Sequence, residues 1–202
     1  KTLSKRLNAG ALPLPISLSG QETVGATLGA QSLSLSFKVV LIAISLVLLF
    51  MILFYRFPGL LASIALCLYI LIVLAIFKLI PVTITLAGIT GFLLSIGMAV
   101  DANILIFERL KEELKAGRTM MIACDQAFDR AWTSIRDSNI STIIGCLVLY
   151  WIGTGVVRGF AITLIIGVLV SMFSAITVSR TFIKFFAPYF SEKRIWFFLG
   201  QK

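Results

Sequence analysis

Apolar residues run along the chain in five blocks, at 37–56, 59–79, 84–107, 139–157 and 159–181. Each is close to the roughly 20 residues that an α-helix needs to cross the hydrocarbon core of a bilayer. The polar positions between them are few and read as turns. Arg56-Phe57-Pro58-Gly59 closes the first block, Pro81 precedes the third, and Gly153, Gly155, Arg158 and Gly159 surround the junction of the last two. Only 108–138 is long enough to carry structure of its own outside the apolar core. There the third helix is expected to run on to about Ala116 with Gly117 as its C-cap, and Thr119 to open another helix. Met121, Cys124, Phe128, Ala131, Trp132 and Ile135 recur in it at helical spacing. That pattern predicts an amphipathic helix at the inner membrane surface, packed beneath the bundle or docking a cytoplasmic partner.

The two ends differ from this pattern. Residues 1–36 read as the trailing end of an extracytoplasmic domain, with KTLSKRLNAG as a helix end closed by Gly10 and ALPLPISLSGQE as a strand with edge prolines. Residues 37–186 form the transmembrane bundle and 187–202 a cytoplasmic tail. A chain that starts at Lys1 with neither a signal peptide nor an initiator methionine is expected to be a fragment, whose upstream part carried this end across the membrane. With 1–36 outside, twelve of the 18 lysines and arginines fall on the inner side and six on the outer. Positive charge collects on cytoplasmic loops, so the N-terminus is expected outside and the C-terminus inside.

Composition sharpens the class. Hydrophobic residues make up 59% and charged residues 13%, against about 25% charged in soluble domains; the chain is an all-α integral membrane protein. The net charge of +9 is spread between apolar runs without a basic strip or recognition motif, so it sets topology and implies no nucleic acid. Histidine is absent, and Cys67, Cys124 and Cys146 lie far apart, which gives no disulfide framework and no metal site. There is no phosphate-binding G-x-x-x-x-G-K-[ST] loop and no Ser/His/Asp or Cys/His set. The residues imply no cofactor and no catalytic group, and describe a transport component rather than an enzyme. Its energy would come from a partner or an ion gradient.

Asp101 is the one acid inside any of the apolar blocks. It lies eight residues before Arg109, about 12 Å deeper along a helix, where half the core is about 15 Å. An ionised carboxylate there costs roughly 2.5–3.5 kcal/mol on insertion scales, so it is a functional candidate by default. It would bind and release a proton as access alternates; the competing reading is helix glue that specifies assembly. Asn103, about 200° further around the helix, faces a different neighbour and reads as glue. Glu108 lies close to the Asp101 face and is either a relay at the inner mouth or a solvated acid.

Small and polar residues supply the candidate surroundings. Ala87, Gly91, Ser95 and Ala99, with Gly97 beside them, and Thr163, Gly167, Ser171, Ala175 and Ser179 recur at intervals of four. They predict either a close helix–helix seam or a polar track facing the proton-carrying helix. Asp137-Ser138-Asn139-Ile140-Ser141-Thr142 reads as a polar helix entry, with Ser138 or Asn139 as the cap; Thr142 and Gly145 reach into the membrane, where contact with the third span is the alternative, and Asn139 and Thr142 count among the supporting polar candidates.

The motifs GALPLPI (10–16), VGATLGAQSL (24–33), VDANILIFERLKEEL (100–114), GRT (117–119), IRDSNIST (135–142) and YWIGTGVVRGFAITLIIGV (150–168) occur in this order. In them the chain resembles the membrane portion of the SecD family, accessory subunits of the bacterial Sec export machinery, over nearly its whole length. Asp-Ala-Asn at 101–103 separates that pattern from the paralogous SecF. Ala26, where proline is frequent, and Phe107, where asparagine is frequent, are the departures. The resemblance implies an RND-type polytopic helical bundle with five of the six spans of a half-bundle, and a proton relay at Asp101. It also implies a bacterial inner-membrane location and, through a periplasmic domain absent here, contact with unfolded preprotein. The implied partners are SecF as the second half-bundle, the SecYEG channel and YajC. The alternatives are a small-molecule exporter of the same superfamily and an uncoupled scaffold of the translocon.

Overall fold

A computed structural model describes residues 26–80, 82 and 85–186, with the side chains of 26–31 and 33 outside that description. The expected helix end and strand before residue 26, and the tail from 187, lie outside the described residues. The chain divides into residues 1–34 and 35–202. The described part of the first, 26–34, is helical.

The second unit is built wholly of helices among its described residues: α1 (Ala26–Leu79, begun in the first unit), α2 (Leu86–Lys115), α3 (Met120–Ile152), α4 (Gly155–Phe173), a π-helical turn (Ser174–Ser179) and α5 (Arg180–Phe186). Three stretches are long and apolar enough to cross a membrane: Ser34–Leu79, Leu86–Lys115 and Gly155–Phe186. The first, at 46 residues, is about twice the length one crossing requires. It is divided at Arg56, where the backbone leaves the helix at φ 50, ψ −117.

A Cβ placed on Gly59 would fall on the carbonyl oxygen of Met51. Residues eight apart in a straight helix are about 12 Å apart, so the second arm turns back on the first at the four residues read as a turn. The first arm exposes Leu41, Leu46, Leu49, Leu53 and Phe54, an apolar surface suited to lipid. The second arm packs inward: Phe77 meets Phe92 of α2 edge-on at 5.9 Å, and the Tyr69 hydroxyl lies 2.7 Å from Ser95 Oγ.

Two element boundaries differ from the sequence expectation. Helix α1 begins at Ala26, eleven residues before the apolar block at 37. More consequentially, the segment 120–138 and the fourth apolar block form one unbroken helix, α3. Ser138 and Asn139 lie in its interior and cap nothing; the hydroxyl of Ser138 donates instead to the carbonyl of Ile135 at 3.2 Å. Burial of Cys124, Phe128, Ala131 and Ile135 outweighs the weak helix preference of the Asp-Ser-Asn entry, so the helix runs through. The amphipathic helix therefore packs against the bundle by its apolar face, and of its predicted apolar positions only Met121 is largely exposed. The polar entry also dilutes the apolarity of the fourth block, which is why that block does not stand beside the other three. At the Lys115 end of α2 the C-cap is Ala116, one residue before the expected Gly117, which takes φ 81 just beyond it; Thr119 is the N-cap position of α3 but makes no side-chain capping bond.

Candidate functional site

Helix α2 is positioned by its neighbours through residues that lack bulk. A Cβ on Gly91 would stand 2.5 Å from Thr163 Oγ1 and 2.7 Å from the carbonyl oxygen of Phe160. One on Gly167 would strike the Ser95 side chain and come to 3.1 Å of the Tyr69 hydroxyl. Thus α2 and α4 run in near contact along the two stripes of small residues, as the seam reading expects. The hydroxyls in that seam are satisfied locally. Thr163 Oγ1 donates toward the carbonyls of Gly159 and Phe160, and Ser171 Oγ donates to Val168 at 2.8 Å.

Asn103 is also on this side of α2. It is 4% exposed, its Nδ2 donates to Ala99 at 3.1 Å, and its Oδ1 accepts from Ser179 Oγ at 2.6 Å. It joins α2 to the last residue of the π-helical turn. Phe107, at one of the departures from the family pattern, is buried and stacks at 5.6 Å on Tyr55.

Asp101 occupies the other side of α2. It lines a cavity of about 230 Å³ with Met98, Ala102 and Leu105 of its own helix and Ile135, Ser138, Asn139 and Thr142 of α3. Of the candidates named from sequence, Asn139 and Thr142 therefore share the space around Asp101, and Gly97 stands one turn away on the same face. Asn103, Thr163 and Ser171 do not. Asp101 is exposed at the surface of this bundle and makes no hydrogen bond or ion pair with a described residue. Asn139 is 4% exposed, yet its amide likewise has no hydrogen-bond partner among the described residues. Gly97 has nothing within 4 Å of a Cβ, so this face of α2 is open.

The amide of Asn139 opens onto this cavity, where water can serve it. At about 30 Å³ per water in the liquid, the cavity has room for several waters. A carboxylate, an amide and two hydroxyls thus line one space of that size between α2 and α3.

The Lys115 end of α2 holds ion pairs that sequence reasoning missed. Glu113 is 3% exposed and is gripped by Arg118 at 2.5 Å and Arg130 at 2.6 Å, which ties α2, the turn and α3 together. The hydrogen bond from Arg130, helped by the charge of Arg118, holds its carboxyl below the usual range against the opposing effect of desolvation. Asp125 joins α3 to α5 through Lys184 at 2.5 Å and Arg180 at 2.8 Å, and those bonds hold its carboxyl low as well. A signal for Glu113 was present: Ala99, Asn103, Ile106 and Leu110 form a buried stripe at spacings of four and three, and the next step is 113. Glu108 is exposed and pairs with Lys111 at 2.9 Å.

Comparison with known proteins adds context to this geometry. The family described as protein export membrane protein SecD/SecF, C-terminal, matches residues 8–188. The chain is 53% identical to a protein translocase subunit SecD of Dehalococcoides mccartyi (strain VS), over 98% of this chain and 45% of that one. It is 52% identical to the subunit of the same name in Thermobaculum terrenum, over 97% and 39%. The chain thus spans less than half the length of these curated relatives. Among solved structures it is similar to SecDF, a translocon-associated membrane protein of Thermus thermophilus, with a TM-score of 0.80 and 36% identity over 83% of this chain and 23% of that one. SecDF in its super-membrane-facing form gives a TM-score of 0.77 at 37% identity, over 82% and 23%.

Proposed function

Since the chain belongs to the SecD/SecF family of protein export membrane proteins, over the C-terminal membrane part, we propose that it is the membrane segment of an accessory subunit of the Sec translocase. In this reading it sits in a bacterial cytoplasmic membrane, with its N-terminal end periplasmic and its C-terminal end cytoplasmic. Asp101 uses the proton-motive force to assist export of preproteins. The observation that carries the reading is Asp101 itself, unpaired at mid-span on a cavity shared with the unpartnered amide of Asn139 and the hydroxyl of Thr142. A potential of 100 mV supplies about 2.3 kcal/mol per charge moved, which biases a two-state element by a few dozen-fold.

Helix glue within this chain is the weaker account, because Asp101 makes no hydrogen bond or ion pair with another helix among the described residues. A small-molecule exporter would require a substrate pocket in a periplasmic domain, for which the family match gives no support. The open Gly97–Asp101 face suits a second half-bundle supplied by SecF, with SecYEG and YajC as further partners. An exposed carboxylate at that depth cannot rest against lipid without the cost noted above.

The test is preprotein export by membranes holding the full-length protein and its SecF partner, with and without a proton gradient. Asp101→Asn is expected to assemble normally and to lose the gradient-dependent increment. Retention of that increment would move the coupling to another residue and leave the scaffold role standing.

A further inference from the structure

A second cavity, of about 330 Å³, opens between α2, α3 and the π-helical turn, where Phe128, Trp132, Ile176, Asp129 and Arg180 line it together with Ile106 of α2. We propose that it is a binding site for a phospholipid with a primary-ammonium head, of the phosphatidylethanolamine class. The proposal does not depend on proton coupling at Asp101.

Its depth suits a head group. Ile106 is three residues from Arg109, about 4.5 Å along the helix, so the cavity lies near the level where charged residues begin. A tryptophan beside an apolar wall is characteristic of that level. Its volume is at the lower end of small-molecule sites, about 300–1,000 Å³. It admits a head group, and the acyl chains would run out along Ile135 and Ile176.

The charges select among heads. Arg180 is held in place through its Nη2 by Asp125 at 2.8 Å and lies over the Phe128 ring at 5.7 Å, which leaves its other guanidinium donors to meet a phosphate. Asp129 is one turn beyond Asp125, is exposed, and has no ion pair or hydrogen bond with a described residue. Arg180 and Lys184 bond Asp125 rather than Asp129, and the neighbouring Arg130 bonds Glu113. Trp132 is three residues on and shares its helix face. A primary ammonium between that carboxylate and the indole would receive an ion pair, charge-assisted hydrogen bonds and a cation–π contact. A choline head offers no N–H donor, and a glycerol head brings an anion toward Asp129 with nothing to answer it.

The experiment uses the full-length protein with every tryptophan except Trp132 replaced by phenylalanine. It is reconstituted in phosphatidylglycerol vesicles carrying a minor fraction of lipid with brominated chains and an ethanolamine, choline or glycerol head. The brominated ethanolamine lipid is expected to quench Trp132 with about threefold preference over the other two, the factor a partly exposed ion pair supplies. Asp129→Asn is expected to abolish the preference and Asp129→Glu to keep it. Equal quenching by all three lipids would show an unselective lipid annulus and overturn the proposal. So would a preference that survives Asp129→Asn, or no quenching at all because protein covers the site.

Discussion

At Gly91 a single methyl group decides how near two helices can run. Gly91→Ala would place a carbon 2.7 Å from the backbone oxygen of Phe160, which cannot swing aside, and is expected to cost about 1–3 kcal/mol in a denaturation series in detergent. Glu113 sets a different kind of limit. Because Arg130 and Arg118 hold its folded pKa below the unfolded value, its stabilising contribution is fully present above about pH 4.3 and is lost as pH falls through the folded value beneath that. Glu113→Gln should lower the melting temperature at neutral pH and remove the part of the acid-induced decline that this carboxylate causes. At Cys124, burial and the neighbouring Asp125 push the thiol to about 11, so N-ethylmaleimide at pH 8 is expected to modify it only after unfolding. Asp101 was legible from sequence because an acid in an apolar block has few structural explanations. The grip on Glu113 was not, because its partners come from the following turn and from a helix seventeen residues away.

Among the elements, α3 most clearly separates local preference from packing. Had Ser138 capped a helix, its loss would cost about 1 kcal/mol; as an interior residue bonded to Ile135, Ser138→Ala is expected to change stability by no more than about 0.5 kcal/mol. The same denaturation series distinguishes the two. Turn chemistry was the most readable feature, since Arg56-Phe57-Pro58-Gly59 and Gly117 both act where their residue types require. The π-helical turn left no trace in the pattern, because one extra residue in a helical turn hardly disturbs an apolar period. Its anchor can be tested: Asn103→Leu strands the Ser179 hydroxyl in a buried seam and should cost about 1–3 kcal/mol.

At the scale of the whole bundle, what matters is that α2 has one filled side and one open side among the described residues. The seam with α4 is filled by glycines and locally bonded hydroxyls, while Gly97 and Asp101 face outward. Apolar blocks announced that helices would pack, but both faces of α2 carry small residues, so spacing alone could not say which would be occupied. That is why Thr163 and Ser171, candidates by sequence, lie away from Asp101 while Asn139 and Thr142 lie beside it.

Helix α2 does not stop where the apolar block does. Fourteen residues separate Asp101 from Lys115 without a break, a rigid arm of about 21 Å, and Glu113 fastens its far end to α3 while Asp125 fastens α3 to α5. A tilt of about 10° pivoting at Asp101 would carry that end through nearly 4 Å, roughly the rise of two to three helical residues. The charged cluster would travel with it as the tip of a lever, turning an event too small to see at the carboxylate into a displacement measurable between spin labels on the turn at 116–119.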